Sequence, residues 1–99
     1  MKPLTLKHIL KNSKPHPLSQ VKGNENARQY KEQMGDYLLS IVGGGVGLYG
    51  DFKNTFEVAL IDTTNDEFVT DMYSKSEGGV LGYASLDEIN ELYFMIPRK

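Results

Sequence analysis

Residues 43–50 read GGGVGLYG, and this segment constrains the fold more than any other part of the chain. Glycine costs a helix interior about 1 kcal/mol relative to alanine, so a helix through five glycines in eight positions is strongly disfavoured. The flanking runs, 36–42 (DYLLSIV) and 55–62 (TFEVALID), are apolar, aromatic and β-branched, which predicts a strand on each side. The glycine-rich segment is therefore predicted to connect two strands, and to stay flexible until something packs on it.

Three other patterns predict helices. Thr5 caps a short helix over residues 5–11, with Leu6, Ile9 and Leu10 on one face. Residues 25–34 contain no helix breaker and end at Gly35, which favours a second short helix. Residues 85–88 (SLDE) form a capping box that starts a third helix, whose core-facing stripe is Leu86, Ile89, Leu92, Tyr93 and Ile96. Pro97 ends it.

The remaining segments predict connections and short strands. Pro15, Pro17 and Gly23 make residues 12–24 an extended linker or arm. Residues 63–66 (TTND) are a turn, so residues 67–73 return antiparallel to the strand before them. Residues 74–79 form a polar loop, and 80–83 form a short extended stretch. The expected fold is a single α+β domain over 1–99: a small, mainly antiparallel sheet of three to four strands packed against a C-terminal helix, with short N-terminal helices and an extended arm.

The composition excludes several kinds of chemistry. The chain has 99 residues, no cysteine and two histidines, so disulfides, a thiolate nucleophile and Cys-based zinc sites are excluded. His8 and His16 match no metal-ligand or triad spacing. We therefore expect no catalytic site, no metal and no cofactor. The apolar runs are too short to cross a bilayer and no secretory leader is evident, which makes the cytoplasm the expected location.

Two motifs suggest a ligand at first sight. Gly45-x-Gly47-x-x-Gly50 fits the dinucleotide-binding pattern, but that motif requires a helix after its last glycine, and here a strand follows. Asp62, Thr64 and Asp66 alternate like the first ligands of a calcium loop. The sixth and twelfth positions of that loop would be Glu67 and Tyr73, where glycine and glutamate are needed. Both interpretations are therefore disfavoured.

Charge is divided unevenly along the chain. Residues 1–34 carry seven Lys/Arg and two Glu, and residues 35–99 carry four Lys/Arg and eleven Asp/Glu. The basic part predicts a nucleic-acid-binding alternative, through Lys7, Lys11, Lys14 and Lys22. The acidic part predicts attraction to basic grooves, including those that normally receive nucleic acid. The two parts are also suited to docking on each other, within one chain or between copies.

The layout of the chain supports one resemblance. A short cysteine-free chain with a Lys-rich N-terminal arm, a glycine-broken β-meander over 37–73 and a closing GYASLDEINELYFMI helix resembles the small accessory proteins encoded by bacteriophages and mobile elements. Anti-CRISPR and related anti-defence proteins belong to that group. The resemblance implies occlusion of a host complex without catalysis, and it assigns a role to no individual residue.

The leading hypothesis is therefore a non-enzymatic protein-binding module that inhibits a host protein. The glycine-rich loop and the acidic surface of the sheet are the expected contact regions, because the loop is a displayed connection and the sheet surface concentrates charge. The candidate contact residues are Gly45, Gly47, Leu48, Tyr49, Asp51, Asp66 and Glu67.

Overall fold

The backbone forms one antiparallel sheet with both helices on the same face. The computed structural model describes residues 2–20, 22, 25–45, 48, 50–73 and 79–96, and within them six strands and two α-helices are present. The strands are β1 (Lys14–Pro15), β2 (Arg28–Met34), β3 (Tyr37–Gly43), β4 (Phe56–Asp62), β5 (Glu67–Phe68) and β6 (Leu81–Ala84). The helices are α1 (Leu6–Asn12) and α2 (Leu86–Met95), and 3-10 turns cover Pro17–Gln20 and Thr70–Met72. This confirms the predicted α+β class.

The sheet runs in the order β1-β2-β3-β4-β5, and β6 pairs with β4 beside β5. Every pairing is antiparallel. The central pair β3–β4 keeps a continuous register from Tyr37 opposite Asp62 to Val42 opposite Glu57. The glycine-rich segment therefore connects two antiparallel neighbours, as predicted, and the parallel crossover of a dinucleotide fold is absent from this pair.

The core lies between the inner face of the sheet and the two helices. Alternate residues of β3 and β4 point inward, and Leu39, Ile41, Val58 and Leu60 are all completely buried. From the helices, Ile9, Ile89, Leu92 and Ile96 join the same apolar cluster. The predicted stripe of α2 is thus confirmed, and its capping box is present in both directions between Ser85 and Glu88.

The predicted helix over residues 25–34 is wrong, because most of this segment is the strand β2. Met34 pairs with Tyr37 across a two-residue loop, and Gly35 has φ +59° at the first loop position, which type II′ hairpin turns reserve for glycine. Tyr30 and Met34 are buried on the inner face, and Glu32 lies between them. A carboxylate in that inner row hides the alternation that would have predicted a strand.

The N-terminal segment packs on the core of the domain. Leu4 and Ile9 are buried in the core, and Thr5 caps α1 by accepting the His8 N–H, as predicted. Asn90 of α2 fixes the start of the chain: its Oδ1 accepts the Leu4 N–H at 2.7 Å and its Nδ2 donates to the Leu4 carbonyl at 2.9 Å. Within residues 12–24, Lys14 and Pro15 form β1 on β2, where an extended linker was predicted.

The strand predicted over 67–73 is shorter than expected. Only Glu67 and Phe68 pair with β4, and the chain then enters the 3-10 turn at Thr70. The extended stretch predicted at 80–83 is β6, shifted by one residue. Most of the predicted 74–79 loop, and the helix stop at Pro97, lie outside the described residues. Within the described ranges, no helix has the length and apolar character needed to cross a membrane.

Candidate interaction surfaces

The glycine-rich loop is closed by backbone hydrogen bonds. The Gly44 N–H donates to the Gly50 carbonyl at 2.9 Å, and the Leu48 N–H donates to the Gly45 carbonyl at 3.2 Å. Gly45 and Leu48 are half-buried. The two other candidates in this loop, Gly47 and Tyr49, lie outside the described residues.

Asp51 organises the turn that leads from this loop into β4. Its Oδ1 accepts the backbone N–H groups of Lys53, Asn54 and Thr55 at 2.9 to 3.1 Å. The N–H groups of Asn54, Lys53 and Thr55 stabilise the ionised carboxylate and lower the pKa of Asp51 from 3.8 to about 2. The following residue, Phe52, has φ +58° and is buried edge-to-face against Phe56. Asp51, one of the candidate contact residues, therefore stabilises the turn through these hydrogen bonds.

The acidic turn, residues 62–67, lies at the opposite end of β4. Asp66 and Glu67 are both exposed and follow Asp62, the last residue of β4, whereas Asp51 lies five residues before Phe56, the first residue of β4. A seven-residue strand spans roughly 20 Å. The structure therefore divides the candidate residues into two groups that a small partner cannot contact at one point.

Within the turn, Asp62 accepts hydrogen bonds from the Thr64 hydroxyl at 2.6 Å and the Thr64 N–H at 2.9 Å. These bonds hold the pKa of the Asp62 carboxyl below its usual range. Asp66 has φ +58°, a left-handed conformation that aspartate and asparagine tolerate better than most residues. Among the described residues, no three His, Asp or Glu side chains come close enough together to hold a metal ion.

Two large apolar side chains are displayed beside the acidic turn, and the sequence interpretation missed both. Phe68 is 59% exposed and Met72 is 65% exposed, whereas Thr70 between them is completely buried. The Thr70 hydroxyl accepts the Leu60 N–H at 2.8 Å and donates to the Gly79 carbonyl at 2.8 Å. Residues 68–72 are thereby fastened to β4 and to the chain that enters β6, so the two apolar side chains are presented on a fixed frame.

The outer face of the sheet continues this apolar display. Leu38, Ile61 and Phe68 are direct cross-strand neighbours on β3, β4 and β5, and they point away from the helices because their inward-facing neighbours alternate with them. Leu38 and Ile61 are half-buried. An apolar row therefore runs from the centre of the sheet to its acidic edge.

The four candidate lysines lie on the other side of the molecule. Lys7 and Lys11 are on α1, Lys14 is on β1 and Lys22 follows the first 3-10 turn, and all four are exposed. Lys14 and Lys31 line a shallow groove of about 330 Å³ together with Asn12, Pro15, Pro17 and Gln29. The strand pairing thus brings together two cations that are 17 positions apart.

Opposite charges are separated in space as well as in sequence. Lys14 and Lys31 lie on β1 and β2, while Asp62 and Glu67 lie on β4 and β5. The outermost strands of the β1-to-β5 path are roughly 19 Å apart. Lys14 and Lys31 therefore lie at the opposite edge of the sheet from Asp62 and Glu67. The start of the N-terminal part nevertheless packs on α2, where Leu4 is bonded to Asn90.

A polar network inside the molecule also escaped the sequence interpretation. Glu32 accepts the Tyr30 hydroxyl at 2.6 Å and the Tyr93 hydroxyl at 2.7 Å, and His8 Nε2 lies 3.2 Å from the Tyr30 oxygen. Burial, the hydrogen bond to Glu32 and its negative charge raise the pKa of Tyr30 above its usual range. The network links α1, β2 and α2. Since both tyrosines are buried, we assign it to holding the helices on the sheet.

Comparisons with protein-family models, with curated proteins and with solved structures find no match to this chain.

Proposed function

We propose that this chain is a non-enzymatic protein-binding module that acts in the cytoplasm as a phage-type inhibitor, occluding a host defence protein. The observation that carries the proposal is the display of Phe68 and Met72, each more than half exposed, beside the acidic turn. Protein interfaces are typically organised around a few apolar anchors with a polar rim. We name this surface, formed by residues 62, 66–68 and 72, the acidic edge.

The charge of the acidic edge specifies the chemistry of the partner. The Asp62–Glu67 pair follows the Ile61–Phe68 pair at the same edge of the sheet. The complementary surface is therefore basic beside an apolar pocket. A groove that normally receives nucleic acid has this character. Occupation of such a groove inhibits the partner without any chemical step, which agrees with the occlusion that the resemblance to anti-defence proteins implies.

The backbone of the acidic edge is held in place by hydrogen bonds, which favours a binding role for its exposed apolar side chains. Anchors that are already held in place lose little conformational entropy when they bind. Thr70 supplies that fixation through its hydrogen bonds to Leu60 and Gly79, and the Val69 N–H adds a third bond, to the Leu60 carbonyl at 2.8 Å. We therefore assign the main contact to the acidic edge, in preference to the glycine-rich loop.

The test is affinity capture of host proteins with three forms of the chain. The wild-type protein, a Phe68→Ala/Met72→Ala variant and an Asp66→Asn/Glu67→Lys variant are immobilised and exposed to lysate of the host organism. Asparagine is chosen at position 66 because it tolerates the positive φ. We expect one protein partner to be retained by the wild type and lost, by at least tenfold, from both variants.

Matched substitutions on α2 provide the control. Phe94 and Met95 are 47% and 57% exposed, and Glu91 is also exposed, so Phe94→Ala/Met95→Ala and Glu91→Lys change the same chemistry elsewhere. Retention of the partner by these controls and its loss from the acidic-edge variants would support the proposal. Equal retention by all five proteins would refute it.

Nucleic-acid binding is the second candidate, and the groove that joins Lys14 to Lys31 favours it. The four candidate lysines can be replaced together by glutamine. Deletion of residues 1–22 is unsuitable, because it would remove Leu4 and Ile9 from the core. Gel-shift titration with single- and double-stranded DNA and with RNA would show binding that weakens steeply with salt and is lost in the glutamine variant. No binding at low salt would remove this candidate.

A further inference from the structure

A groove of about 720 Å³ lies beside the glycine-rich loop, at the end of the sheet away from the acidic turn. Its described lining comes from Leu10 at the end of α1, from Asn26 and Arg28 at the start of β2, and from residues 44, 45 and 50–53. Gly44 shapes it by close approach, since its φ is +83° and a Cβ there would lie 2.5 Å from the Asn26 carbonyl oxygen. Arg28 is paired with Gly43 across the strands, which places it beside the loop.

Arg28 is held in a fixed orientation at this groove. Its Nε donates to the Ser13 hydroxyl oxygen at 2.8 Å, and its Nη2 donates to the Ser13 carbonyl at 2.7 Å. Ser13 is itself 7% exposed, so the partner of the guanidinium is a buried residue. A guanidinium carries five N–H donors, and these two bonds leave donors for a ligand. A fixed guanidinium is well suited to binding a planar or tetrahedral oxyanion.

The charge of the groove is positive. Arg28 and Lys53 contribute cations, and Asp51 is the single acid among the lining residues. The Asp51 carboxylate already accepts the backbone N–H groups of residues 53–55 through Oδ1. Its single negative charge offsets one of the two cations, so the lining keeps an excess of positive charge. An anion is therefore attracted to this groove.

The groove also has apolar walls. Leu10 is 42% exposed and lies on one side, and Phe52 is buried at the base. A bare inorganic ion would leave this apolar surface in water, whereas an organic anion with a small apolar body would cover it. We propose that this groove binds an organic oxyanion, a carboxylate or phosphate group carried on a small apolar body.

This site is independent of the acidic edge. The two lie at opposite ends of β4, roughly 20 Å apart, and they have opposite charge. Loss of one therefore leaves the other intact, and the outcome of partner capture through Phe68 and Met72 has no bearing on ligand binding at Arg28.

The test uses nuclear magnetic resonance titration of the full chain with three probes at constant ionic strength. N-acetyl-leucine carries a carboxylate on an apolar body, N-acetyl-leucinamide lacks the charge, and inorganic phosphate lacks the apolar body. We expect the backbone amides of Gly44, Gly45 and residues 51–53 to shift and saturate with the acid and not with the amide. Inorganic phosphate should bind about tenfold more weakly than the acid, because it covers none of the apolar wall. Equally tight binding of phosphate would contradict the apolar body of the proposed ligand.

Three variants separate the contributions. Lys53→Gln removes one exposed cation and should weaken binding about threefold, whereas Arg28→Lys removes the fork and should weaken it about tenfold. Lys31→Gln, on the outer face of β2, is the matched control and should leave affinity unchanged. If Arg28→Lys perturbs the fold, the comparison of Lys53→Gln with Lys31→Gln tests the proposal. Weaker binding by Lys53→Gln alone would support it, and equal affinities of the two variants would contradict it. Equal shifts with acid and amide, or no saturation with any probe, would overturn the proposal.

Discussion

Asp51 is the residue whose local geometry makes the clearest pH prediction. Its pKa in the folded chain is lowered to about 2, so the stabilisation from its ionised form is fully present above its ordinary value of 3.8 and is lost as the pH falls through about 2. We expect the amide shifts of Lys53, Asn54 and Thr55 to change together with a midpoint near pH 2. Nuclear magnetic resonance titration under acid conditions measures this midpoint.

Asp51→Asn is the matched control for that titration. Its side-chain oxygen still accepts the three N–H groups, but the residue no longer ionises, so the transition should disappear while the turn persists. A midpoint close to 3.8 in the wild-type chain would show that the three hydrogen bonds do not persist in solution.

Other single residues differ in how far their sequence context reveals their role. Ser85 and Thr5 were predicted as helix caps because a cap depends on neighbours within three positions. Phe68 and Met72 were placed in a strand with no indication that they were exposed. Their exposure depends on how residues 67–72 pack against β4. That packing includes the buried hydrogen bond from the Leu60 N–H to the Thr70 hydroxyl, ten positions away, which no local pattern reveals.

Among the elements, the segment from β5 through the 3-10 turn depends most on one side chain. Thr70→Val keeps the shape of the residue but removes its hydroxyl, which leaves the buried Leu60 N–H without its acceptor. We expect a loss of about 1–3 kcal/mol in the free energy of unfolding, measured by urea denaturation, and faster hydrogen exchange at the Leu60 amide.

Thr64→Val in the exposed turn serves as the comparison, since its hydroxyl bonds to Asp62 at the surface and should contribute less than about 1 kcal/mol. Comparable losses in the two variants would indicate that Thr70 is no more important than a surface threonine. The acidic edge would then lack the fixed frame assigned to it.

The elements that could be predicted are those with a complete local pattern. β3 and β4 are rich in apolar, aromatic and β-branched residues, and α2 has both a capping box and an apolar stripe. β2 could not be predicted, because its inner row contains Glu32 at the position where an apolar residue is expected. That carboxylate is satisfied by Tyr30 and by Tyr93, which is 61 positions away, and no local pattern reports such a partner.

At the scale of the whole molecule, the sequence predicted two charge blocks but not their arrangement. Pairing of β1 with β2 and of β5 with β4 places Lys14 and Lys31 at the opposite edge of the sheet from Asp62 and Glu67. The candidate contact residues that the structure describes fall into two distant groups at opposite ends of β4. The positions of the charged residues and of the candidate contact residues both depend on strand order. Strand order is set by long-range packing, which cannot be inferred from the pattern of a single sequence.

The separation of charge predicts how the proposed partner binds over time. Charges at the rim of an interface mainly govern the association rate and its salt dependence, whereas buried apolar anchors mainly govern dissociation. With the captured partner immobilised for surface plasmon resonance, Asp66→Asn/Glu67→Lys should lower the association rate constant about tenfold at low salt and flatten its decrease with added salt. Phe68→Ala/Met72→Ala should leave association nearly unchanged and raise the dissociation rate constant at least tenfold. If the charge variant instead changed only dissociation, the acids would be central contacts, and the assignment of Phe68 and Met72 as anchors would be wrong.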